Sequence, residues 1–241
     1  DIAAGRPPSS RDERPAAARH DPAIRPSAPR SVILAGMTER RRRRIFDVLS
    51  RRQPDLTVLA EDVYKPHNLS AVLRSCDAVG IGEVHAVRPT GGIATFNATS
   101  ASAEKWVDLV VHQSVEEAVG VLKERGMQVY AAHLSDDAVD YREVDYTGPT
   151  ALLLGNEKAG VTPAAAALAD RHVIIPMLGM VQSLNVSVAA AVILFEAQRQ
   201  RRAAGRYATP QLSPEQQREI ALRWLSKADA EQLAQEPLGS G

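Results

Sequence analysis

The chain has 241 residues, of which 44% are apolar and 24% charged, and this composition is typical of a globular protein with a substantial core. The longest apolar run, Val186 to Phe195, is too short to span a bilayer, so we expect no membrane association. The single cysteine, Cys76, excludes a disulfide framework and a cysteine-based zinc site, and the six scattered histidines predict no metal site. Aromatic residues make up 4% of the chain, which argues against a domain that stacks single-stranded bases on a row of rings.

The zero net charge hides an uneven distribution along the chain. Residues 1–52 carry a net charge of +7, residues 53–197 carry −9 and residues 198–241 carry +2. Basic segments on both sides of an acidic centre are typical of arms that contact a polyanion, although two solvated helices would give the same pattern.

The N-terminal segment differs in composition from the rest. Residues 1–36 contain six Pro, eight Ala and six Arg and almost no bulky apolar side chains. Such a segment cannot bury enough surface to offset the entropy of ordering, so we expect a disordered tail, with the functional polypeptide beginning near Met37. Its apolar stretch, residues 32–35, is too short for a signal peptide, which favours a cytoplasmic location.

A strongly basic segment follows the tail. Residues 38–52 predict a short helix with an apolar stripe and with Thr38 as its cap. Five consecutive arginines, residues 40–44, surround this helix, and their mutual repulsion favours a nearby anion such as a phosphate backbone. We therefore interpret residues 37–54 as an RNA-binding helix whose contacts are Arg41, Arg42, Arg43 and Arg44.

From residue 55 onward, strand-like and helix-like segments alternate. Strands are predicted at residues 55–63, 83–89, 107–111, 127–134, 150–155 and 172–176. Helices are predicted at residues 68–80, 114–126, 162–170 and 184–205, with Asn68 and Ser114 as caps, and residues 90–103 are predicted as a loop or short helix. This alternation predicts an α/β domain over residues 55–205, with a largely parallel sheet and helices on both faces. One further helix, residues 213–235, is predicted in a C-terminal extension, residues 206–241.

Two glycine-containing segments fail as nucleotide-binding fingerprints. His85 stands where the pattern begun by Gly80 and Gly82 needs its third glycine. Val161 stands where a P-loop beginning at Gly155 needs its lysine. A phosphate-handling nucleotide enzyme is therefore disfavoured.

Three other segments combine strand ends with functional side chains. In KPHNLSAVLR, residues 65–74, Arg74 lies on an apolar helix, where it needs either an ion pair or a ligand. In LLGNEKAG, residues 153–160, a polar loop follows a strand, which is where open α/β sheets bind ligands. In residues 175–189 an apolar loop leads into a helix; such a loop suits an adenine ring, or is a buried connection packed by its neighbours.

Together and in this order, these segments resemble the SPOUT-class RNA ribose methyltransferases, most closely the bacterial TrmH type that methylates guanosine in tRNA. The similarity runs from about Thr38 to Leu225 and includes RRQPDLTVLAEDVYKPHNLSAVLRSCDAVG, LLLGNEKAG and IPMLGMVQSLNVSVAAAVILFEAQRQR. It implies a C-terminal trefoil knot, a homodimer with active-site elements at the subunit interface, and S-adenosylmethionine as the methyl donor. It also implies tRNA as the partner, with guanosine 18 of the D-loop as the target.

The resemblance further implies the site residues. Arg74 matches the catalytic arginine of the family, which acts either as a general base or as an electrostatic stabiliser of the developing alkoxide. The other catalytic positions that match are Asn68, which positions that arginine, and Glu157, Ser183 and Asn185. The cofactor-binding positions that match are Leu134, Gly155, Ile175, Met177 and Leu184.

Two other functions remain open at this point. One is ribose methylation of ribosomal RNA, although enzymes of that kind often carry a separate N-terminal RNA-binding domain, for which residues 1–36 are too few and too polar. The other is a non-catalytic RNA-binding protein on the same scaffold, which would bind tRNA without transferring a methyl group.

Overall fold

The computed structural model describes residues 38–63, 65–87 and 105–235, all of which belong to one compact unit. The predictions made for the tail, residues 1–36, and for residues 90–103 lie outside the described residues.

Within these ranges the chain alternates between strands and helices, as the sequence predicts. The strands are β1 Leu56–Glu61, β2 Glu83–Val87, β3 Asp108–His112, β4 Gln128–Ala132, β5 Val139–Asp140, β6 Thr150–Leu154 and β7 Arg171–Ile174. The helices are α1 Glu39–Leu49, α2 Pro66–Ala78, α3 Val115–Glu124, α4 Pro163–Leu168, α5 Val186–Ala203, α6 Pro214–Trp224 and α7 Lys227–Ala234.

The strands form a single parallel sheet in the part of the chain that the structure describes. Their order is β3-β2-β1-β6-β4-β7-β5, and every neighbouring pair runs in parallel. Strand β6 lies near the centre, where Leu152 is in register with Val58 of β1 on one side and Tyr130 of β4 on the other. All five residues of β6 are buried, as expected for a strand covered on both faces.

Helices cover both faces of the sheet, because successive side chains of a strand point to opposite sides. Leu152 and Leu154 pack with α2 and α5, whereas Ala151 and Leu153 pack with α3 and α4. Burying one leucine side chain contributes about 2 kcal/mol. The prediction of a largely parallel sheet with helices on both faces is confirmed.

The predicted start of α2 is wrong. The helix begins at Pro66, with Lys65 as its cap, two residues before the expected cap Asn68. Proline suits the first helical turn because its fixed φ is helical and its missing N–H would have no partner there. Asn68 consequently lies inside the first turn and is buried, so its side chain is free to bond elsewhere.

The single helix predicted for residues 213–235 is also wrong. It is interrupted at Leu225, which is extended with φ −87° and ψ 164°, and the hydroxyl of Ser226 accepts a hydrogen bond from the Asp229 N–H in the first turn of α7. This break lets Trp224 of α6 and Leu233 of α7 pack together against α1. We call α1, α6 and α7 the terminal helical cluster.

None of the helices in the described ranges is long and apolar enough to cross a membrane.

Candidate active site

Four loops meet at one edge of the sheet. They follow the carboxyl ends of β1, β6, β4 and β7, which are neighbours in the sheet, and parallel strands end at the same edge. The loop after β1 leads into α2, which carries Asn68, and the loop after β6 carries Glu157. The loops after β4 and β7 carry Leu134 and residues 175–185.

A chain of polar side chains that runs from exposed Asn185 through buried Asn68 to half-buried Glu157 links three of these loops. The amide Nδ2 of Asn68 donates to Oε1 of Glu157 at 2.7 Å, and the Nδ2 of Asn185 donates to Oδ1 of Asn68 at 3.2 Å. The backbone N–H of Lys65 also faces Glu157 Oε1, at 3.4 Å. We call Asn185, Asn68 and Glu157 the Asn–Asn–Glu network; it brings together residues that are up to 117 positions apart.

One oxygen of this network lacks a partner. Glu157 Oε2 is buried and accepts no hydrogen bond from the described residues. An unsatisfied buried polar atom costs about 1–3 kcal/mol. The site is therefore built to receive a donor from a ligand or a further protein group.

The loop that carries Glu157 is held by Asn156. The side-chain Oδ1 of Asn156 accepts from the Lys158 N–H at 2.8 Å, and its Nδ2 donates to the Asp62 carbonyl at 3.0 Å. Its backbone exchanges two hydrogen bonds of 2.9 Å with Gly160. A Cβ atom at Gly155 would lie 2.1 Å from the Gly160 carbonyl carbon, so the tight closure of this loop requires glycine at position 155.

The far end of the same loop is fixed by Glu61, which the sequence analysis missed. Glu61 ends β1 and is buried, and its two carboxylate oxygens accept from Thr162 Oγ1 at 2.6 Å and from the Thr162 N–H at 3.0 Å. Thr162 caps α4, and a carboxylate is stabilised beside a helix N-terminus. The sequence offers one general signal that could have identified Glu61, an acidic residue at the end of a mostly apolar strand, but it is not part of a motif.

The loop after β7 is exposed and open. Leu178 and Met180 are completely exposed, and residues 176–184 form no backbone–backbone hydrogen bond with any described residue. The alternative interpretation, a buried connection, is therefore wrong. Free main-chain groups beside apolar side chains fit a purine ring that must be held by backbone hydrogen bonds and apolar contacts.

Three of the predicted cofactor positions, Ile175, Met177 and Leu184, belong to the segment after β7, and Leu134 and Gly155 belong to the loops after β4 and β6. Gly155 is buried; Ile175, Met177 and Leu184 are half-buried; and Leu134 is 77% exposed. An exposed leucine beside an apolar loop leaves surface that a ligand can cover.

Two of the predicted catalytic residues stand outside the network. Arg74 is exposed on α2, and its side chain forms no hydrogen bond or ion pair with any described residue, so the ion-pair alternative is wrong. It follows Asn68 by six positions, which turns its side chain about 120° away around the helix. Ser183 is exposed in the loop after β7, likewise without a hydrogen bond to the residues described.

The predicted RNA-binding arginines lie on α1. Arg43 pairs with Glu39 at 2.9 Å, Arg44 with Asp47 at 3.7 Å, and Arg41 with Asp229 of α7 at 3.5 Å. The pairs of Arg43 and Arg44 are exposed, and such pairs contribute at most about 1 kcal/mol, so these two guanidinium groups can exchange their partners for phosphates. The Arg41 pair is only partly exposed, because Asp229 is buried.

Comparison with known proteins identifies the family. The sequence profile of the SpoU rRNA Methylase family matches residues 55–195. The tRNA (guanosine(18)-2′-O)-methyltransferase of Thermus thermophilus is 65% identical over 190 residues, which cover 79% of this chain and 98% of that protein.

Solved structures agree with this relationship. The TrmH/SpoU tRNA modifying enzyme of Aquifex aeolicus is 44% identical, with a TM-score of 0.72 over 77% of this chain and 95% of that one. The SpoU methyltransferase AviRb of Streptomyces viridochromogenes, solved in complex with the cofactor AdoMet, is 30% identical, with a TM-score of 0.57 over 65% of this chain and 62% of that one. The chain belongs to the SpoU rRNA methylase family of SPOUT-class 2′-O-ribose methyltransferases.

Proposed function

We propose that this chain transfers a methyl group from S-adenosylmethionine to the ribose 2′-hydroxyl of guanosine 18 in the D-loop of tRNA. The observation that carries this conclusion is the 65% identity to a tRNA (guanosine(18)-2′-O)-methyltransferase over 98% of that protein. The Asn–Asn–Glu network, joined by hydrogen bonds of 2.7 and 3.2 Å, supports it. With tRNA as the substrate, we also propose that the chain acts in the cytoplasm.

The loops after β4, β6 and β7 fit S-adenosylmethionine, whose sulfonium supplies the reactive methyl group. The main-chain groups of residues 176–184 are available to bind the adenine, and the side chains of Leu134, Ile175 and Leu184 would cover its apolar faces. Gly155 and Met177 complete the cofactor positions. The cofactor complex of the related methyltransferase AviRb supports the same ligand.

We assign Arg74 to the ribose oxygen. A 2′-hydroxyl becomes a good nucleophile only as it loses its proton, and a guanidinium next to it stabilises the negative charge that develops. Guanidinium groups hold their proton firmly, which favours this electrostatic role over that of a general base. The exposure of Arg74 and its lack of partners among the described residues leave it available to the substrate.

Glu157, Asn68, Asn185 and Ser183 would shape the floor of the same site. Asn68 orients the Glu157 carboxylate through the 2.7 Å bond and leaves Oε2 free for a donor. We propose that this donor is a hydroxyl or amine of the bound substrates. Ser183, exposed beside the open loop, is available for a second hydrogen bond.

We further propose a homodimer in which Arg74 meets the network of the partner subunit. Arg74 projects away from the network of its own chain, so one chain by itself does not bring the two together. Helix α5 carries Val188 and Phe195, seven positions apart on one face, and each is 48% exposed. A second copy packed over this apolar face would complete the site.

Mixed dimers test this arrangement directly. Arg74→Ala and Asn68→Ala chains, each inactive alone, should regain up to about a quarter to a half of the activity when they are unfolded and refolded together, because one of the two shared sites in a mixed dimer is intact. Complementation that fails although mixed dimers form would contradict a shared site.

A C-terminal trefoil knot is also part of the proposal. Strand β6 lies between β1 and β4, and α5 returns to pack against α2 after the loop at residues 175–185. This arrangement is compatible with a chain end that passes through the loop after β6. The knot would bring the three cofactor loops into one rigid unit.

The flanking segments would dock the RNA around the methyltransferase domain, residues 55–205. The described parts of the flanking segments 37–54 and 206–241 meet in the terminal helical cluster, which combines the basic face of α1 with an apolar centre. We propose that Arg41, Arg42, Arg43 and Arg44 contact phosphates, which gives recognition of shape rather than of sequence.

The experiment that tests this function uses labelled S-adenosylmethionine with separate pools of tRNA and ribosomal RNA. We expect label in tRNA alone. Label in ribosomal RNA would favour the rival methyltransferase, and tRNA binding without label would favour a non-catalytic RNA-binding protein.

A further inference from the structure

A small polar cluster joins the loop after β4 to strand β7. The hydroxyl Oγ of Ser135 lies 2.7 Å from Nδ1 of His172 and 2.6 Å from Oδ1 of Asp137. The same carboxylate oxygen lies 3.2 Å from His172 Nδ1, and the opposite ring nitrogen, Nε2, lies 3.0 Å from the Ala166 carbonyl of α4. We call Ser135, Asp137 and His172 the His172 cluster.

This cluster cannot serve as a nucleophilic triad, although it contains the three residue types. In a triad the serine and the carboxylate lie at opposite nitrogens of the imidazole, so that one orients the ring while the other gives up its proton. Here both lie at Nδ1, and Nε2 is taken by a carbonyl. The cluster therefore connects the loop after β4 to β7, and its hydrogen bonds indicate which of its atoms carry protons.

The proton count favours the charged form of His172. A carbonyl only accepts hydrogen bonds, so Nε2 carries a proton in either form. With a neutral ring, Nδ1 is an acceptor, and the one Ser135 proton cannot serve both Nδ1 and Asp137. With an imidazolium, Nδ1–H donates toward Ser135 and Asp137 while Ser135 donates to Asp137, and every contact is satisfied.

The surroundings agree with a charged pair. The hydrogen bond from Ser135, assisted by the backbone and by His172, lowers the pKa of Asp137, so this carboxylate is ionised at neutral pH. A second titratable group, His133, also faces His172: its ring meets that of His172 edge-on, with centroids 5.2 Å apart. His172 itself is mostly buried, with its side chain 17% exposed, whereas Asp137 is 80% exposed.

The position of the cluster connects it with the cofactor loops. Ser135 follows Leu134 directly, and His172 lies three residues before Ile175, so the cluster ties together the two loops proposed to hold S-adenosylmethionine. The backbone N–H of His133 strengthens this connection by donating to the Val173 carbonyl at 3.2 Å.

We propose that His172 is a positioning residue for the cofactor: its imidazolium holds residues 133–138 against β7, and the cofactor is bound more tightly while that proton is present. This inference rests on the proposed function. Cofactor affinity should therefore be lower when this proton is absent.

The test measures binding of S-adenosylhomocysteine to the full chain by calorimetry from pH 5.5 to 8.5, without RNA. We expect the dissociation constant to rise by roughly three- to tenfold across this range, which is the effect of one ordinary hydrogen bond. Because the proton helps to hold the cofactor loops together, binding should take up protons at the higher pH values, which calorimetry in buffers of different ionisation enthalpy detects. His172→Gln should bind weakly at all pH values, with kcat at saturating cofactor within about twofold of the unmodified chain.

Comparing Asp137→Asn with its matched control Asp136→Asn separates the effect of losing the contact with His172 from the effect of removing one negative charge from this loop. Asp136 is an exposed neighbour outside the cluster, and its variant should behave like the unmodified chain. Asp137→Asn should lose most of the pH dependence. A pH-independent dissociation constant in the unmodified chain, or equal losses in the two Asp variants, would overturn the inference. If the unmodified chain bound no S-adenosylhomocysteine at any pH, the proposed function itself would fail.

Discussion

Replacing Asn68 by Asp tests the centre of the Asn–Asn–Glu network with almost no change in shape. Asn68 is 2% exposed, and its Nδ2 donates to Glu157 Oε1 at 2.7 Å. In Asn68→Asp a second carboxylate replaces this donor. Two full charges at that separation would repel by about 6 kcal/mol at an effective dielectric constant of about 20, so the pair relieves most of this repulsion by binding a proton.

The expected result is a loss of stability that depends on pH. The folded carboxyl pair holds a proton more strongly than an unfolded carboxyl does, so the variant loses stability as the pH rises. The loss grows by up to about 1.4 kcal/mol per pH unit until the folded pair gives up its proton. We expect Asn68→Asp to be destabilised by about 1 kcal/mol at pH 5 and by about 2–4 kcal/mol at pH 8.

Urea unfolding followed by tryptophan fluorescence at pH 5, 6, 7 and 8 measures this difference. Asn185→Asp is the matched control: Asn185 is exposed, so its new carboxylate stays solvated, and Asp remains a good cap for α5. We expect a change below about 1 kcal/mol in this control, with little dependence on pH. An equal loss at pH 5 and pH 8 in Asn68→Asp would refute the idea that a buried carboxylate faces Asn68.

Three further predictions follow from single features of the chain. Arg74→Ala should abolish methyl transfer to tRNA while the dissociation constant for S-adenosylhomocysteine, measured by calorimetry, stays within about twofold; equal loss of both would indicate a structural role. Replacing residues 41–44 by Ala should weaken tRNA binding and reduce the slope of log K against log salt by up to about 3, and an unchanged slope would exclude α1 as the docking site. The close contact with His85, whose Nε2 lies 3.1 Å away, and the hydrogen bond from Arg125 lower the pKa of Glu83 to about 2 from 4.5, so its contribution is present above about pH 4.5 and is lost as the pH falls toward 2. After allowance for partial exposure, Glu83→Gln should therefore cost about 1 kcal/mol in urea unfolding at pH 7 and less at pH 3, and a constant cost would contradict the lowered pKa.

The sequence predicts those parts of the fold that depend on local patterns. Short apolar runs, most of them next to glycine or proline, locate six of the seven described strands, because the central strands of a sheet covered on both faces are apolar. The two-residue strand β5, Val139–Asp140, escapes such a pattern because it is too short to carry one. Capping side chains correctly predict the starts of α1 and α3 at Thr38 and Ser114.

The errors arise where local signals compete or are missing. Asn68 is a good cap by type, but Pro66 begins the helix earlier and Glu157 takes the Asn68 amide. The break at Leu225 has no glycine or proline to indicate it, and it forms because Trp224 and Leu233 both pack against α1. Tertiary packing decides both cases, and a short stretch of sequence does not indicate which distant residues will pack together.

The same distinction applies to the candidate site. The motif resemblance identifies Asn68, Glu157 and Asn185 as site residues. It does not predict the hydrogen bonds between them, because these bonds join three segments that are far apart in the sequence. The positioning roles of Glu61 and His172 depend on partners 101 and 35–37 residues away, and no motif marks them. Contacts between loops at a sheet edge become visible only when the strand order is known.

The most direct test of the central claim uses two tRNA transcripts that differ in one atom. One carries an ordinary guanosine at position 18, and the other carries 2′-deoxyguanosine there. With labelled S-adenosylmethionine, we expect methyl transfer to the first transcript, mapped to the ribose of guanosine 18, and no transfer to the second. Equal labelling of both transcripts would contradict a ribose methyltransferase specific for guanosine 18.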